Sequence, residues 1–543
     1  MKETFDALKK TTANHVSLSP ISFLHRAEAL HGERTAVIYG DIRRSWSQTA
    51  ARIRSVATGL KGLGVKKGDT VSVLSPNIPE LFELHFALPL TGAVLNALNT
   101  RLEPQTIAYI LDHADTKLVI VDRELVPLLS EAFDILGRTL AVVEIDDPNA
   151  QGGESLGGQS YEELTRTTPV TMGLSDDEWD AIALNYTSGT SGRPKGVVYH
   201  HRGAYLMALG TASAWQIPPY PIYLSVVPMF HCNGWGHPWL LPMLGATMVF
   251  TRIPAADRIL EAIRTHGVTH FGAAPIVLQM LVEAESATTP FDPAIKVLTA
   301  GAPPPPSVLE KTRAMGFEVM QVYGLTETYG HITQCLWQDE WQSLSVAEQA
   351  ERQAQQGIAL PMVEDVSVID RKSGAPVPRD ATTQGEIAIR GNTVMAGYYK
   401  DPNATAKAFD DGIFWSGDGA VVHKNGYIQI CDRLKDVIIS GGENISSVEV
   451  EAVLYRHAAV QAAAVVAMPH EKWGEVPCAF IELRPGTSAT FENITNFCRE
   501  HLAGFKIPRV VMFETLPKTS TGKIQKFKLR DRVKSMGGDQ TSA

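Results

Sequence analysis

A loop dense in hydroxyls, glycines and cations follows the apolar run that ends at Tyr186. Its residues are Thr187, Ser188, Gly189, Thr190, Ser191, Gly192, Arg193, Pro194, Lys195 and Gly196. Glycines let backbone N–H groups turn towards one point, and the hydroxyls and cations add further donors and positive charge. This chemistry suits a polyphosphate, and an ordinary surface turn is the weaker alternative. The loop is not a Walker A motif, because Lys195 lies between Pro194 and Gly196 instead of before Ser or Thr.

Three more side chains could take part in chemistry. Asp418 lies in Trp-Ser-Gly-Asp-Gly, which indicates a tight turn whose carboxylate could accept both hydroxyls of a ribose. Lys523 lies in a segment of small residues, so its ammonium could be brought to a site in another domain. His231 and Cys232 are adjacent, but neighbours on an extended strand point to opposite faces, so a thiolate mechanism is not favoured. A turn-forming Asp, a solvated lysine and a core histidine are the plain alternatives.

Short apolar runs predict the elements that must position these residues. The runs begin at Thr70, Lys117, Ile182, Thr247, Val268 and Lys296. They are apolar on both faces and are separated by segments of helical length, which is typical of buried and mostly parallel strands in an α/β layer fold. Residues 339–356 are polar and rich in Glu, Gln and Ala, and they predict an exposed helix that ends at Gly357.

The pattern changes near Ile430, and the last part of the chain has its own strands and an amphipathic stretch. We therefore predict an N-terminal domain over residues 1–431 and a C-terminal domain over residues 432–543, with the boundary at Asp432.

Composition excludes several classes of protein. The chain has 543 residues and a formal net charge of -10, which argues against nucleic acid or an anionic membrane as a partner. Five widely spaced cysteines without a CxxC pair indicate neither a disulfide framework nor a zinc site, and they favour a reducing cytoplasm. We predict neither a signal peptide nor a membrane span, because no stretch supplies about 18 apolar residues in a row.

The phosphate loop resembles the signature loop of the adenylate-forming superfamily, which comprises acyl-CoA synthetases, luciferases and peptide-synthetase adenylation domains. Ser191 stands where threonine is commoner, and this keeps the hydroxyl. Motifs similar to those of the family follow in the same order at 323–328, 385–387, 415–418, 432–436, 441–444 and 517–523. The resemblance implies a large N-terminal domain of layered sheets and helices with a small, mobile α+β C-terminal domain. It also implies an ATP-dependent acid:CoA ligase.

The same resemblance implies how ATP and Mg²⁺ are bound. Residues 187–196 would hold the β- and γ-phosphates, Thr326 would reach the α-phosphate, and Glu327 would ligate Mg²⁺. The remaining residues of the predicted nucleotide site are Gly301, Ala302 and Pro303 along the adenine, Tyr323 opposite them with Gly324, Asp418 at the ribose, and Arg433 in support.

The family pattern further implies the acid and coenzyme A sites. His231, Trp235, Ala302 and Pro303 would form the acid pocket, with the His231 ring beside the reacting carboxylate. Lys523 would contact that carboxylate and serve the adenylation half-reaction only. Asp432 would be the hinge, and the face lining the pantetheine channel would contain Lys435, Gly441, Gly442 and Glu443.

The acid itself is predicted from the pocket and from the overall character of the chain. Trp235, Ala302 and Pro303 as pocket walls favour a short or medium apolar chain over a long fatty acid. The sequence is also similar to methylmercaptopropionate:CoA ligases among medium-chain synthetases. The best single prediction is 3-methylmercaptopropionate, with butyrate to hexanoate also fitting. Adenylation for a non-CoA acceptor and a non-catalytic homologue stay open as alternatives. A homodimer is a family-based expectation.

Overall fold

The computed structural model describes residues 8–170, 173–187, 193–286, 289–301, 304, 306–433, 436–440, 443–470, 472–519 and 524–536. Its strands, in chain order, are β1 Thr35–Tyr39, β2 Ile42–Ser45, β3 Thr70–Leu74, β4 Val94–Leu98, β5 Leu118–Asp122, β6 Ala141–Ile145, β7 Gln159–Ser160, β8 Ala181–Tyr186, β9 Gly196–His200, β10 Ile222–Ser225, β11 Thr247–Phe250, β12 His270–Ala273, β13 Ile295–Thr299, β14 Phe317–Leu325, β15 Gly330–Gln334, β16 Ile358–Ala359, β17 Asp365–Ile369, β18 Gly385–Arg390, β19 Gly397–Tyr398, β20 Phe409–Asp410, β21 Ile413–Val422, β22 Ile428–Arg433, β23 Ile438–Ser440, β24 Glu443–Ile445, β25 Val460–His470, β26 Gly474–Leu483 and β27 Val510–Phe513.

The helices cover the sheets and connect their strands. In chain order they are α1 Ile21–His31, α2 Trp46–Gly62, α3 Pro79–Thr91, α4 Pro104–His113, α5 Val126–Leu136, α6 Tyr161–Leu164, α7 His201–Ala214, α8 Cys232–Trp235, α9 His237–Met243, α10 Ala256–His266, α11 Pro275–Glu283, α12 Pro306–Ala314, α13 Val346–Gln353, α14 Pro402–Ala408, α15 Ser447–Leu454, α16 Phe491–His501 and α17 Lys526–Met536. No helix in the described part of the chain combines the length and the apolar character needed to cross a bilayer.

Two large sheets form the N-terminal part of the fold. The first has the order β16-β15-β14-β13-β12-β10-β11-β1-β2, and the second has the order β19-β9-β8-β4-β3-β5-β6-β7. The central strand pairs of both sheets are parallel. Antiparallel pairs lie at both edges of the first sheet and at the β19 edge of the second, whose other edge is the parallel pair β6–β7. β3, β4 and β5 are buried at every residue, as runs apolar on both faces predict. The predicted α/β class with a large layered domain is confirmed.

Two smaller sheets follow. The third has the order β17-β18-β21-β20, with β22 paired to β21, and the fourth has the order β24-β23-β26-β25, with β27 paired to β26. Residues of the fourth sheet pack on both of its faces, with α15 and α16 on one side and α17 on the other. This is an α+β arrangement. The third sheet ends at Arg433, and the fourth begins at Ile438.

The predicted helix over residues 339–356 is broken. A 3-10 turn covers Asp339–Ser343, and α13 covers only Val346–Gln353. The break occurs because Ser345 is an N-cap: its hydroxyl accepts from the backbone N–H of Glu348, whose carboxylate accepts in return from the Ser345 N–H. The segment is also not fully exposed, since Trp341 and Ala350 are buried.

Candidate functional site

The two ends of the predicted phosphate loop are held together. β8 and β9 are antiparallel neighbours with Tyr186 opposite Gly196, and the Thr187 N–H donates to the Lys195 carbonyl at 3.0 Å. Arg193 lies 5.6 Å from the ring centroid of Tyr109. The loop therefore leaves and re-enters the sheet at one point. The predicted residues Ser188, Gly189, Thr190, Ser191 and Gly192 lie outside the described residues.

Glu327 and Lys195 meet at one tyrosine. β19 pairs with β9, and this brings Tyr398 opposite Val197. The Tyr398 hydroxyl donates to Oε1 of Glu327 at 2.8 Å, and Nζ of Lys195 lies 4.7 Å from the centroid of the Tyr398 ring. A cation over an aromatic face is attracted by the ring quadrupole. Tyr398 thus joins the predicted metal ligand to the predicted phosphate lysine.

The surroundings of Glu327 suit a Mg²⁺ ion that binds together with ATP. Among the described residues, no group of three or more His, Cys, Asp or Glu side chains is placed to hold a metal ion. Mg²⁺ bound with ATP needs no such cage, because it takes one or two carboxylates plus phosphates and waters. A single partly exposed carboxylate in a 3-10 turn over Thr326–Thr328, oriented by Tyr398, matches that requirement.

Tyr323 and Asp418 are in direct contact. The Tyr323 hydroxyl donates to Oδ2 of Asp418 at 2.7 Å, and the two residues come from different sheets. The predicted adenine and ribose residues are therefore adjacent. Arg433 pairs with Asp418 in the register of β21 and β22. Gly324 has no room for a side chain, because an added Cβ would lie 1.6 Å from the Gly330 carbonyl oxygen.

The sequence predicted a tight turn at Asp418, but the residue lies inside β21. Gly417 has φ +75°, which bends the strand locally, and the Asp418 N–H donates to the Ser416 hydroxyl. Asp418 pairs with Arg433 of β22, but the register against β18 shifts between Glu386 and Ala388, so residues 416–418 bulge from that strand. The residue is buried, with 5% of its surface exposed.

The acid-pocket loop is wound in the left-handed sense. Cys232, Asn233, Gly234, Trp235 and Gly236 all have positive φ, between 41° and 77°. Left-handed turns cost non-glycine residues roughly 1–2 kcal/mol each, so the surrounding structure must hold this one. The prediction that His231 and Cys232 point to opposite faces is wrong for this reason: Sγ of Cys232 lies 3.9 Å from Nε2 of His231.

A thiolate at Cys232 is still disfavoured. Burial raises the pKa of the Cys232 thiol to about 12, although the neighbouring Thr326 hydroxyl, 3.4 Å from Sγ, lowers it somewhat. The same contact brings the predicted α-phosphate residue Thr326 against the loop that carries His231. The Tyr199 hydroxyl donates to the Thr326 carbonyl at 2.6 Å and holds that residue in place.

A buried polar chain supports the acid loop and was missed by sequence reasoning. Nδ2 of Asn185, just before the phosphate loop, donates to Oδ1 of Asn233 at 2.5 Å, and Nδ2 of Asn233 lies 3.4 Å from Nε2 of His85. Nδ1 of His85 contacts the Leu81 carbonyl at 2.8 Å, and burial lowers the pKa of His85 to about 4. A neutral imidazole that donates to Leu81 from Nδ1 can accept from Asn233 at Nε2. No spacing in the sequence indicates these contacts.

Asn77 supports the same region from the other side. Its amide Nδ2 donates to the carbonyls of Ser225 and Val227, at 3.1 and 2.7 Å, and its Oδ1 accepts from the Met229 N–H at 2.8 Å. With a further bond to the Ser225 hydroxyl at 3.3 Å, four hydrogen bonds of one buried side chain hold the end of β10 where the chain turns towards His231.

Gly272 is closely packed against Trp235, which is predicted to form a wall of the acid pocket. A Cβ added there would lie 2.6 Å from Cγ2 of Val227, 3.2 Å from Cε1 of His237 and 3.3 Å from Cζ3 of Trp235. Trp235 itself is 6% exposed. Ala302 and Pro303, the other predicted pocket walls, lie outside the described residues, and Gly301 follows β13 with φ +115°.

The predicted hinge residue is held by the C-terminal part of the chain. Oδ2 of Asp432 accepts from the N–H of Ser447 at 2.8 Å and from the Ser447 hydroxyl at 2.5 Å. Glu443 begins β24. Of the other residues predicted to face coenzyme A or to drive adenylation, Lys435, Gly441, Gly442 and Lys523 lie outside the described residues.

Comparisons with known proteins agree with this arrangement. The profile of the AMP-binding enzyme family matches residues 24–399, and that of the AMP-binding enzyme C-terminal domain matches residues 449–523. The anthranilate CoA ligase AuaEII, solved in complex with anthranoyl-AMP, superposes with a TM-score of 0.84 at 26% identity, over 98% of this chain and 100% of that one.

Curated relatives are similar over their full length. The 2-methylpropanoate–CoA ligase CCL4 of Humulus lupulus is 44% identical, over 99% of this chain and 99% of its own. The peroxisomal acetate/butyrate–CoA ligase AAE7 of Arabidopsis thaliana is 45% identical, over 98% and 97%. Similarity to these plant enzymes does not show the predicted resemblance of this chain to methylmercaptopropionate:CoA ligases. The chain belongs to the AMP-binding enzyme family, and its relatives over the full length are CoA ligases.

Proposed function

We propose that this enzyme is an ATP-dependent acid:CoA ligase that works through an acyl-adenylate. The observation that carries the proposal is the 3.4 Å contact between Thr326 and Cys232. It joins the segment containing Glu327 to the loop containing His231. Residues suited to phosphate and metal are thereby adjacent to residues suited to a carboxylic acid, which is the juxtaposition that acyl-AMP formation needs.

In the first half-reaction, a carboxylate oxygen attacks the α-phosphorus of ATP, the bond from that phosphorus to the bridging oxygen breaks, and pyrophosphate leaves. Tyr323 and Asp418 would hold the adenosine, and Thr326 would contact the α-phosphate. Mg²⁺ held by Glu327 would supply charge neutralisation at the phosphates when bound. Lys195 and the loop over residues 187–196 would bind the β- and γ-phosphates, and Lys523 would reach the reacting carboxylate.

In the second half-reaction, the thiol sulfur of coenzyme A attacks the acyl carbonyl, the carbon–oxygen bond to AMP breaks, and the thiol proton is released. Lys523, which would favour adenylation, would obstruct the approach of the coenzyme A thiol. We therefore propose that the C-terminal domain, residues 432–543, rotates about Asp432 so that Lys435, Gly441, Gly442 and Glu443 replace Lys523. Arg433, next to the hinge, would support the ribose in the first orientation.

We propose short acids as substrates, from butyrate to hexanoate, with 3-methylmercaptopropionate as the best single candidate. The close packing of Gly272 against Val227 and Trp235 supports a short chain. A thioether packs much like a methylene, so its sulfur would be accepted in place of a carbon. The names of the relatives, for 2-methylpropanoate, acetate and butyrate, support a short acid without selecting the thioether.

The test is CoA-dependent release of AMP and pyrophosphate with acetate, butyrate, 2-methylpropanoate, hexanoate, octanoate, benzoate and 3-methylmercaptopropionate. We expect the highest kcat/KM among the butyrate-to-hexanoate group and the thioether acid. A maximum at octanoate or benzoate would contradict the short pocket. AMP release without an acyl-CoA product would favour a different acceptor, and no AMP release would favour a non-catalytic homologue.

A second test concerns Lys523. We expect Lys523→Ala to abolish most acyl-AMP formation and to leave thioester formation from supplied acyl-AMP nearly unchanged, because the cation would act only while charge develops at the phosphate. Equal loss of both half-reactions would contradict this role.

Location and assembly are also proposals. The five cysteines are all free, which supports a reducing compartment such as the cytoplasm. Expression of a fluorescent fusion would distinguish the cytoplasm from the peroxisomal location named for AAE7. Size-exclusion chromatography with light scattering would test the expected homodimer.

A further inference from the structure

The residues that flank 520–523 are bonded to each other. Lys518 and Ile524 form an antiparallel bridge, and the Gln525 N–H donates to the Pro517 carbonyl at 2.8 Å. Nζ of Lys518 pairs with Oε2 of Glu482 at 2.9 Å. The described residues before and after 520–523 are therefore joined to each other, and Lys518 attaches them to β26.

Lys526 attaches the second flank. Its Nζ lies 2.7 Å from Oε1 of Glu451, and it also donates to the hydroxyl of Ser447. Both charged side chains are largely buried, with exposed fractions of 16% for Lys526 and 14% for Glu451. Burial raises the pKa of Glu451, and the Lys526 ammonium and the N–H of Val465, 2.7 Å from Oε1, act against that rise.

Ser447 connects this pair to the hinge. Its hydroxyl donates to Oδ2 of Asp432 and accepts from Lys526, so one oxygen lies between a side chain of the third sheet and a side chain of α17. In the pairing of β21 with β22, Asp432 lies opposite Gly419, which directly follows Asp418 in the chain. A continuous polar path therefore runs from the predicted ribose-binding strand to the residue three positions after Lys523.

A purely structural ion pair would not need this path. Buried ion pairs offset the cost of their own desolvation only partly, and a well-packed apolar pair is often as stable. An apolar pair could not link α17 to the hinge. Here the Ser447 hydroxyl bonds both to Lys526 at the start of α17 and to the carboxylate of Asp432. Rotation about Asp432 would alter the bonding of Ser447 and thereby that of Lys526.

We propose that Lys526, held by Glu451 and Ser447, is a positioning residue that places Lys523 for the adenylation half-reaction. The inference rests on the proposed function, since it assumes that Lys523 serves adenylation. Lys526 does not touch the substrates. It acts by fixing the start of α17 relative to the hinge, so its loss should slow the half-reaction that uses Lys523 and leave the other half-reaction nearly unchanged.

The experiment measures the two half-reactions separately, as butyrate-dependent ATP–pyrophosphate exchange and as butyryl-CoA formation from supplied butyryl-AMP. For Lys526→Met we expect the exchange rate to fall by about 100-fold, the effect of a misplacement near 1 Å, while thioester formation changes by less than about twofold. Lys526→Arg keeps the charge and should recover part of the exchange rate.

Two further variants separate positioning from stability. Lys526→Met combined with Glu451→Gln leaves no unpaired buried charge, so its melting temperature should approach that of the wild type while its exchange rate stays low. Lys506→Met is the matched control. Lys506 pairs at 2.7 Å with Glu449, which lies on α15 like Glu451, and the pair has no bond to Asp432 among the described residues. It should leave both half-reactions unchanged.

The outcomes discriminate as follows. Selective loss of exchange in the single and the double variant supports the inference. Equal loss of both half-reactions, or recovery of exchange in the double variant, would overturn it and leave a structural ion pair. If wild-type enzyme gives neither exchange nor thioester, the proposed function itself fails, and the inference fails with it.

Discussion

The hydroxyl of Tyr398 donates to the carboxylate of Glu327 at 2.8 Å, although the two residues are 71 positions apart in the chain. The ring of the same tyrosine lies 4.7 Å from Nζ of Lys195. One side chain therefore contacts the proposed metal-binding carboxylate through its hydroxyl and the proposed phosphate-binding cation through its face.

Tyr398→Phe tests this relationship, because it removes the hydroxyl and keeps the ring. Hydrogen bonds to charged groups contribute about 1.5–3 kcal/mol, so loss of half of that corresponds to adenylation that is about 3- to 13-fold slower. We also expect a higher Mg²⁺ concentration for half-maximal rate, measured by pyrophosphate exchange in a Mg²⁺ titration. Tyr399→Phe is the control, since that hydroxyl contacts the exposed Asp115 at 3.1 Å. An unchanged Mg²⁺ dependence in Tyr398→Phe would contradict the assigned role of Glu327.

Asn233 should show that the acid loop depends on a left-handed backbone. Asn233→Gly loses the bonds to Asn185 and His85 but tolerates φ +41°, whereas Asn233→Ala loses the bonds and also strains the backbone. We expect the alanine variant to be less stable than the glycine variant by about 1 kcal/mol in urea unfolding. Equal stabilities would mean that the loop changes its conformation in the variants.

Gly272 should limit the length of the acid. In Gly272→Ala the added methyl would lie within 2.6 Å of Val227 and push the pocket wall inward. One methylene in a pocket changes selectivity by about 10- to 200-fold, so kcat/KM for hexanoate should fall by such a factor relative to acetate. Gly62→Ala is the control, because a Cβ there meets nothing within 4 Å. A parallel loss for all acids would show that Gly272 does not border the acyl chain.

Cys232 should be unreactive at neutral pH. Burial penalises the charged thiolate and raises the pKa of this thiol to about 12, so the reactive form appears only as the pH rises towards that value. At pH 8 the thiolate fraction would be about 10⁻⁴ by the definition of a pKa. We expect iodoacetamide at pH 8 to leave Cys232 unmodified by mass spectrometry, and Cys232→Ser to retain activity. Rapid inactivation by alkylation at this residue would contradict its burial.

Several features of this protein follow from local sequence alone. Strands such as β3 and β5 are predictable because a run apolar on both faces can be buried only inside a covered sheet. The phosphate loop stays a prediction, which was possible because its chemistry lies in consecutive residues. The glycines and polar residues beside Asp418 led to the wrong prediction of a tight turn, because pairing with Arg433 of β22 and a register shift against β18 place this residue in a bulged strand.

Other features depend on the tertiary structure. The pairing of β9 with β19 places Tyr398 between Lys195 and Glu327, and the packing of Asn185 and His85 sustains the left-handed turn at Asn233. These contacts join residues far apart in sequence, so neither periodicity nor spacing encodes them. Local sequence thus determines which groups are available for chemistry. Strand order and register decide which of them meet, because the cost of an unusual backbone or a buried polar group is offset only by partners that folding brings from elsewhere.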